Sequence, residues 1–178
     1  MHRFATVIAA LLLGPFAGWL SARVMLDRSA LTMGANVGGW REVINTPDTF
    51  AATYGAGYFM TRGQLPPPQH VRLFMRLRDD AGNTLRSDCA TQVEGLPPPG
   101  RWWQIGADSR SGTRSTGSGN IVREPDGVYI VTLWNMVSPG NWLALGDAED
   151  YSLRLYVHDL AAEDSANLPL PRVKRLGC

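Results

Sequence analysis

The spacing of apolar positions changes character along the chain. From Phe4 to Ala22, 19 residues carry no charged side chain, and Arg3 and Arg23 flank them. As a helix, that stretch is about 28 Å long, close to the hydrocarbon thickness of a bilayer. It is apolar on every side, whereas a core helix of a soluble domain is usually amphipathic. Gly14-Pro15 inside it is tolerated in a membrane span. The segment is either a cleaved signal or a retained anchor. Cleavage wants small residues at alternate positions, and Trp19 and Leu20 break that pattern in Gly18-Trp19-Leu20-Ser21-Ala22. Trp19 suits the headgroup region of a retained anchor, so a single uncleaved span is the reading adopted. Arg3 in front, with Arg23 and Arg28 behind, leaves its orientation open.

Behind the span, residues 27–39 read as a linker ending in Gly38-Gly39. The chain thus divides into an anchor (1–26), a linker (27–39) and one domain (40–178). Thr46 and Pro47 form a helix-start signal, and Phe50, Tyr54 and Tyr58 follow at four-residue spacing, which predicts one short helix. After Pro66-Pro67-Pro68 the period drops to two. Val71, Leu73, Met75 and Leu77 alternate with Arg72, Phe74, Arg76 and Arg78, the pattern of a half-buried strand with arginines on its wet face. Asp79 to Asn83 is the turn, and a strand through Cys89, Thr91 and Val93 is expected to pair back as a hairpin. Arg101 to Ile105 is a third strand, and Ser109 to Asn120 a polar loop. Val128 to Trp134, apolar on both faces, suits a central covered strand. Tyr151 to His158 alternates again.

Composition narrows the fold class. Among 178 residues there are 19 Gly and 12 Pro, breakers that argue against a helical bundle. An apolar fraction of 44% with six Trp excludes a disordered chain. Short strands separated by turn signals predict a mainly β domain, a β-sandwich or jelly-roll-like fold with one short helix, preceded by an N-terminal transmembrane helix. Seventeen Lys and Arg against 16 Asp and Glu leave a formal charge of +1, so nucleic acid is not an expected partner.

Three patches carry a family resemblance. They are Cys89-x-x-x-Val93-x-Gly95-x-Pro-Pro-Pro-Gly-Arg101-Trp102-Trp103, then Asn141-Trp142-Leu143 followed by Leu153-Arg154-Leu155-Tyr156, and finally Leu168-Pro169-Leu170-Pro171-Arg172-Val173 with the terminal Cys178. In this order the stretch from Gly39 to Cys178 resembles the bacterial domain-of-unknown-function family 1214. Gln104 to Asp108 and Ala144 depart from the family's pattern. The resemblance implies a jelly-roll-like domain in the bacterial envelope, and a family-1254 domain protein as a partner. It implies no catalytic residues.

Candidate chemistry is sparse. Cys89 and Cys178, the two cysteines, permit a disulfide in an oxidising compartment, the alternative being two unrelated thiols. Trp102 and Trp103 must point to opposite faces of their strand. One is core, and the other, beside Arg101, could stack on a sugar or a lipid headgroup. Asn141 reads as a backbone-bonding residue and Trp142 as a plug at one end of the sandwich. Arg101, Trp102, Trp103, Asn141 and Trp142 are therefore the candidate binding residues. Asp147, Glu149 and Asp150 read as a solvated acidic loop rather than a cation site. No metal-ligand or nucleophile-elbow spacing occurs, so no metal, cofactor or catalytic residue is assigned. His70 and His158 are distant in sequence, and no pocket is expected to gather them or a carboxylate pair.

These readings converge on a single-pass protein of the bacterial inner membrane. Its lipid contact is Phe4 to Ala22, its domain faces the periplasm, and it acts as a non-catalytic module for a ligand or partner. The alternative is an envelope hydrolase or carbohydrate-active enzyme whose acids meet only in the fold.

Overall fold

The computed structural model describes residues 11, 13–24, 36–43, 59–60, 67–68, 70–146, 149–160 and 168–178. The chain forms two compact units, residues 1–33 with 45–66 and residues 34–44 with 67–178. In the first, residues 13–24 are helical, as are 59 and 60. Phe16, Trp19 and Leu20 are exposed there, and Arg23 lies over the Trp19 ring, 5.3 Å from its centroid and about one turn along. Among the described residues no helix is long and apolar enough to cross a membrane. Residues 1–10 and 12 lie outside the described residues, as do most of the linker and the helix expected at Pro47 to Tyr58.

The second unit is mainly β. Its strands are β1 (Asn36–Val37), β2 (Trp40–Val43), β3 (Val71–Arg76), β4 (Ala90–Gly95), β5 (Trp102–Ser109), β6 (Gly112–Gly117), β7 (Tyr129–Trp134), β8 (Asn141–Ala144), β9 (Ser152–His158) and β10 (Arg172–Gly177). Six of them form one sheet in the order β1-β2-β3-β9-β5-β6, and four form a second in the order β10-β4-β7-β8. Period-two patterning explains the core between them. On β5 and β9, Trp103, Ile105 and Ala107 sit opposite Val157, Leu155 and Leu153 on one face. They join Val93, Tyr129, Val131, Leu133, Leu143 and Val173 of the other sheet in one apolar cluster. Trp103 and Tyr129 meet across it with ring centroids 4.6 Å apart. Burial pushes the Tyr129 hydroxyl far above the ordinary phenol range, so it stays neutral.

The structure corrects several sequence expectations. The expected β3–β4 hairpin closes only as an isolated Arg78–Thr84 bridge, after which the chain crosses to the other sheet, where β4 lies between β10 and β7. The expected loop at Ser109 to Asn120 contains β6, which pairs with β5 as an edge strand. An edge strand with solvent on one side needs no apolar alternation, which is why Thr and Ser suffice. β7 is central, as expected, but Ile130, Thr132 and Trp134 are only half-buried. β1 falls within the stretch read as linker.

The arginines of β3 do not share a wet face. Arg72 pairs with Glu42, whereas Arg76 has a side chain only 4% exposed. Its guanidinium donates to the Arg78 and Gly38 carbonyls and to Asp80. Gly39, with φ +82, brings the β1–β2 turn onto it, and a Cβ there would meet the guanidinium carbon at 3.0 Å. Asp80 also joins the sheets. Its amide donates to the Val173 carbonyl at 2.8 Å, and its Oδ2 accepts from the Val173 amide at 3.1 Å. Trp40 Nε1 donates to the Pro171 carbonyl at 2.8 Å, just before β10. At the far end of β10 the disulfide Cys89–Cys178 ties the last residue to the segment entering β4.

Two outcomes follow for stability. Replacing Cys89 and Cys178 by Ser opens a loop with a sequence separation of 89, and a cost of about 4 kcal/mol is expected from chain entropy. Denaturant midpoints with and without reductant measure it, and the variant should be insensitive to reductant. Asp80→Ala leaves the Arg76 charge buried without its carboxylate and should cost about 3 kcal/mol. In a double-mutant cycle, Arg76→Met/Asp80→Ala should lose clearly less than the sum of the single variants.

Candidate functional site

Strand direction places several loops at one pole of the sandwich. β5 begins there, β9 ends there, β3 begins there, and β6 returns there. The row Val71, His158, Trp102 runs across three adjacent strands. Because Trp103 and Val157 face the core, Trp102 and His158 take the opposite face. Trp103 is 2% exposed and Trp102 39%, so the expected division of the Trp pair holds. The Trp102 indole lies against β6, where a Cβ on Gly117 would meet its six-membered ring at 3.0 Å. A side chain at 117 would push the indole off the sheet.

The neighbours of Trp102 are polar and titratable. The His158 ring meets it edge-on, with centroids 4.7 Å apart and planes inclined by 68°. The His70 ring lies 6.3 Å from that of His158. The two histidines, distant in sequence, are thus neighbours on the surface. Antiparallel pairing of β3 with β9 puts Val71 opposite His158 and brings His70 alongside. Asp159 follows in the left-handed region at φ 52, a conformation that Asp tolerates better than most residues. Its amide donates to the His70 carbonyl at 3.0 Å. Its Oδ2 accepts from Arg101 Nε at 3.0 Å, and the Arg101 side chain is 82% exposed. The Arg101 amide in turn donates to the His158 carbonyl at 3.0 Å.

Electrostatics at this pole favour a neutral His158. Partial burial and then the charge of a protonated His70 hold its pKa below the ordinary imidazole value, with Arg101 adding to this and Asp159 opposing it. At neutral pH His158 is thus an uncharged ring with one donor and one acceptor nitrogen. The arrangement offers a flat aromatic face, a guanidinium and two imidazoles within one surface patch.

The remaining candidates lie elsewhere. Asn141 and Trp142 are on β8, at the edge of the other sheet. The Asn141 amide bonds both backbone groups of Val122 and the Ile130 carbonyl, and Trp142 Nε1 donates to the Trp134 carbonyl at 3.2 Å. Both bind backbone, which gives them a structural task. Asp147 lies outside the described residues. Glu149 accepts from Ser111 and from the Arg110 amide, and these serine contacts hold its pKa low. Asp150 faces Arg86. Among the described residues no group of three or more His, Cys, Asp or Glu is placed to hold a metal ion.

No protein-family model matches the chain, and no curated protein matches it. Two crystal structures of bacterial proteins are similar to it. A protein from Vibrio parahaemolyticus superposes with a TM-score of 0.55 at 14% identity, over 86% of this chain and 42% of its own. An uncharacterised protein from Burkholderia cenocepacia gives 0.48 at 14% identity, over 94% of this chain and 51% of its own. The chain thus spans about half the length of these solved proteins or less. The similarity to the Vibrio protein is one of fold.

Proposed function

We propose that this chain is a non-catalytic binding module of the bacterial cell envelope, and that its ligand-contacting surface is the pole built by Trp102, Arg101, His158 and His70. The observation that carries this reading is Trp102. A tryptophan 39% exposed is held on a strand between Gly117 and His158, rather than folded into the core. Aromatic faces held this way suit recognition, because a rigid ring loses little entropy on contact. The Cys89–Cys178 bridge supports an oxidising compartment. The uncharged stretch from Phe4 to Ala22 supports a tether to the inner membrane, with the domain in the periplasm. The ordered patches from Cys89 to Cys178 support kinship with family 1214, and a family-1254 domain protein is then a natural partner.

Location and pole are testable separately. An alkaline phosphatase fused after Cys178 should be active and a green fluorescent protein dark, with the fusion in the membrane fraction; the reverse pattern rejects the envelope assignment. Purified domain should cosediment with isolated envelope material, several-fold less so as Trp102→Ala, while Trp142→Ala, changed on the other sheet, should match the parent. Equal loss from both variants rejects the pole as the contact surface.

His158 also predicts a pH dependence of stability. Its folded pKa is below the ordinary 6.5, so the unfolded chain takes up this proton first as pH falls. The His158 contribution therefore lowers stability progressively below about pH 6.5 and is complete below the folded pKa. Denaturant midpoints between pH 7.5 and 5 should fall, and His158→Gln should flatten that slope. An NMR titration of His158 checks the direction directly.

A further inference from the structure

His158 touches the Trp102 ring, His70 lies beside His158, and Arg101 directly precedes Trp102 on the chain. Arg101 donates to Asp159 through Nε, and with 82% of its side chain exposed its outer edge is open to a second acceptor. The groups facing His158 are His70 from the segment before β3, Trp102 and Arg101 from the start of β5, and Asp159 beyond β9. When both imidazoles are protonated, three cations face one carboxylate. We infer that this pole binds acidic glycans, a sugar ring lying on the Trp102 indole and its carboxylate meeting Arg101 and the His70–His158 pair. This assignment rests on the binding-module reading and adds the ligand class to it.

Two features select a sugar acid over a membrane surface. Trp102 is held against β6 at Gly117 and against the His158 ring, only 39% exposed, rather than protruding as an inserting wedge would. His158 touches the ring and Arg101 precedes it on the chain, so one compact ligand can reach the ring and the charges together. The neighbouring His70 disfavours protonation of His158 in the free protein, and a bound carboxylate would offset that penalty. Affinity must then rise as pH falls, because ligand and protons bind with mutual reinforcement.

The test titrates the disulfide-intact domain with hexagalacturonate and hexameric alginate, following tryptophan fluorescence and calorimetry at pH 7.5 and 5.5. Cellohexaose is the neutral control, and vesicles with one-fifth phosphatidylglycerol are the lipid arm. The expected result is binding of an acidic hexamer that is about tenfold tighter at pH 5.5, with cellohexaose and vesicles inactive. Trp102→Ala should weaken it about tenfold at both pH values. His70→Gln/His158→Gln, which keeps shape and removes charge, should abolish the pH dependence while leaving the affinity at pH 7.5. Equal binding of cellohexaose, or pH-independent binding, overturns the acidic-glycan assignment and leaves the binding-module reading standing. Binding to vesicles alone also overturns it, in favour of a lipid surface. Binding untouched by Trp102→Ala overturns both readings, and no binding of either acidic hexamer overturns the assignment.

Discussion

A guanidinium buried in a sandwich is the constraint on which the rest of this domain depends. A buried guanidinium is tolerable only if fixed acceptors surround it, and Arg76 is nearly fully buried. Those acceptors come from three places: the Gly38 carbonyl in the β1–β2 turn, the Arg78 carbonyl beyond β3, and the Asp80 carboxylate in the next turn. Folding around Arg76 therefore orders three segments together. Asp80 extends the effect to the second sheet by bonding both backbone groups of Val173. Val173 belongs to the apolar core, and Trp40, its neighbour in that cluster, donates to Pro171. The last strand is thus fixed at its start by a polar network and at its end by a disulfide.

That closure positions the opposite pole through register. β3, β9 and β5 share the row of Val71, His158 and Trp102, and one step along lie Arg72, Val157 and Trp103. A slip of one residue would carry Trp102 and His158 to the inner face and send Trp103 and Val157 outward. The apolar set Leu153, Leu155 and Val157 forbids that slip, since all three are fully buried. The core therefore decides which face the candidate site occupies, without touching the ligand surface itself. Gly117 on the neighbouring strand then leaves the room that the indole fills.

How far this was legible in the sequence depends on what each pattern could encode. Alternation disclosed β3 and β9, an unbroken apolar run disclosed β7, and the Trp pair disclosed one inward and one outward ring. Two cysteines in the whole chain permitted the bridge from Cys89 to Cys178, which the fold forms. Alternation also assigned Arg76 to water, because a pattern of residue types cannot show that an ion pair and two carbonyls wait for a particular arginine. β6 was read as a loop because Gly-Thr-Arg-Ser-Thr-Gly lacks the apolar period that only a covered strand needs. The β3–β4 hairpin was expected from a turn signal that is real, since Gly82 donates to the Asp79 carbonyl. The chain nevertheless leaves that sheet after one bridge. His70 and His158 were invisible as a pair, because their contact arises from a pairing between strands far apart in the chain.

The charged groups of this domain are matched according to their burial, and the exception lies at the Trp102 pole. Arg76 has Asp80, and the buried Arg154 has Asp108. Each pair offsets the desolvation that the fold imposes. His158 has a ring edge on one side and a second histidine on the other, an arrangement that resists protonation rather than relieving it. His158 sits on the sheet face away from Val157 and Trp103. An apolar residue at 158 would shield Trp102 as well and would remove the penalty at low pH. The penalty is specific to charge, and an anion held beside the two rings would offset it. That is the physical ground on which the proposed preference for acidic ligands rests.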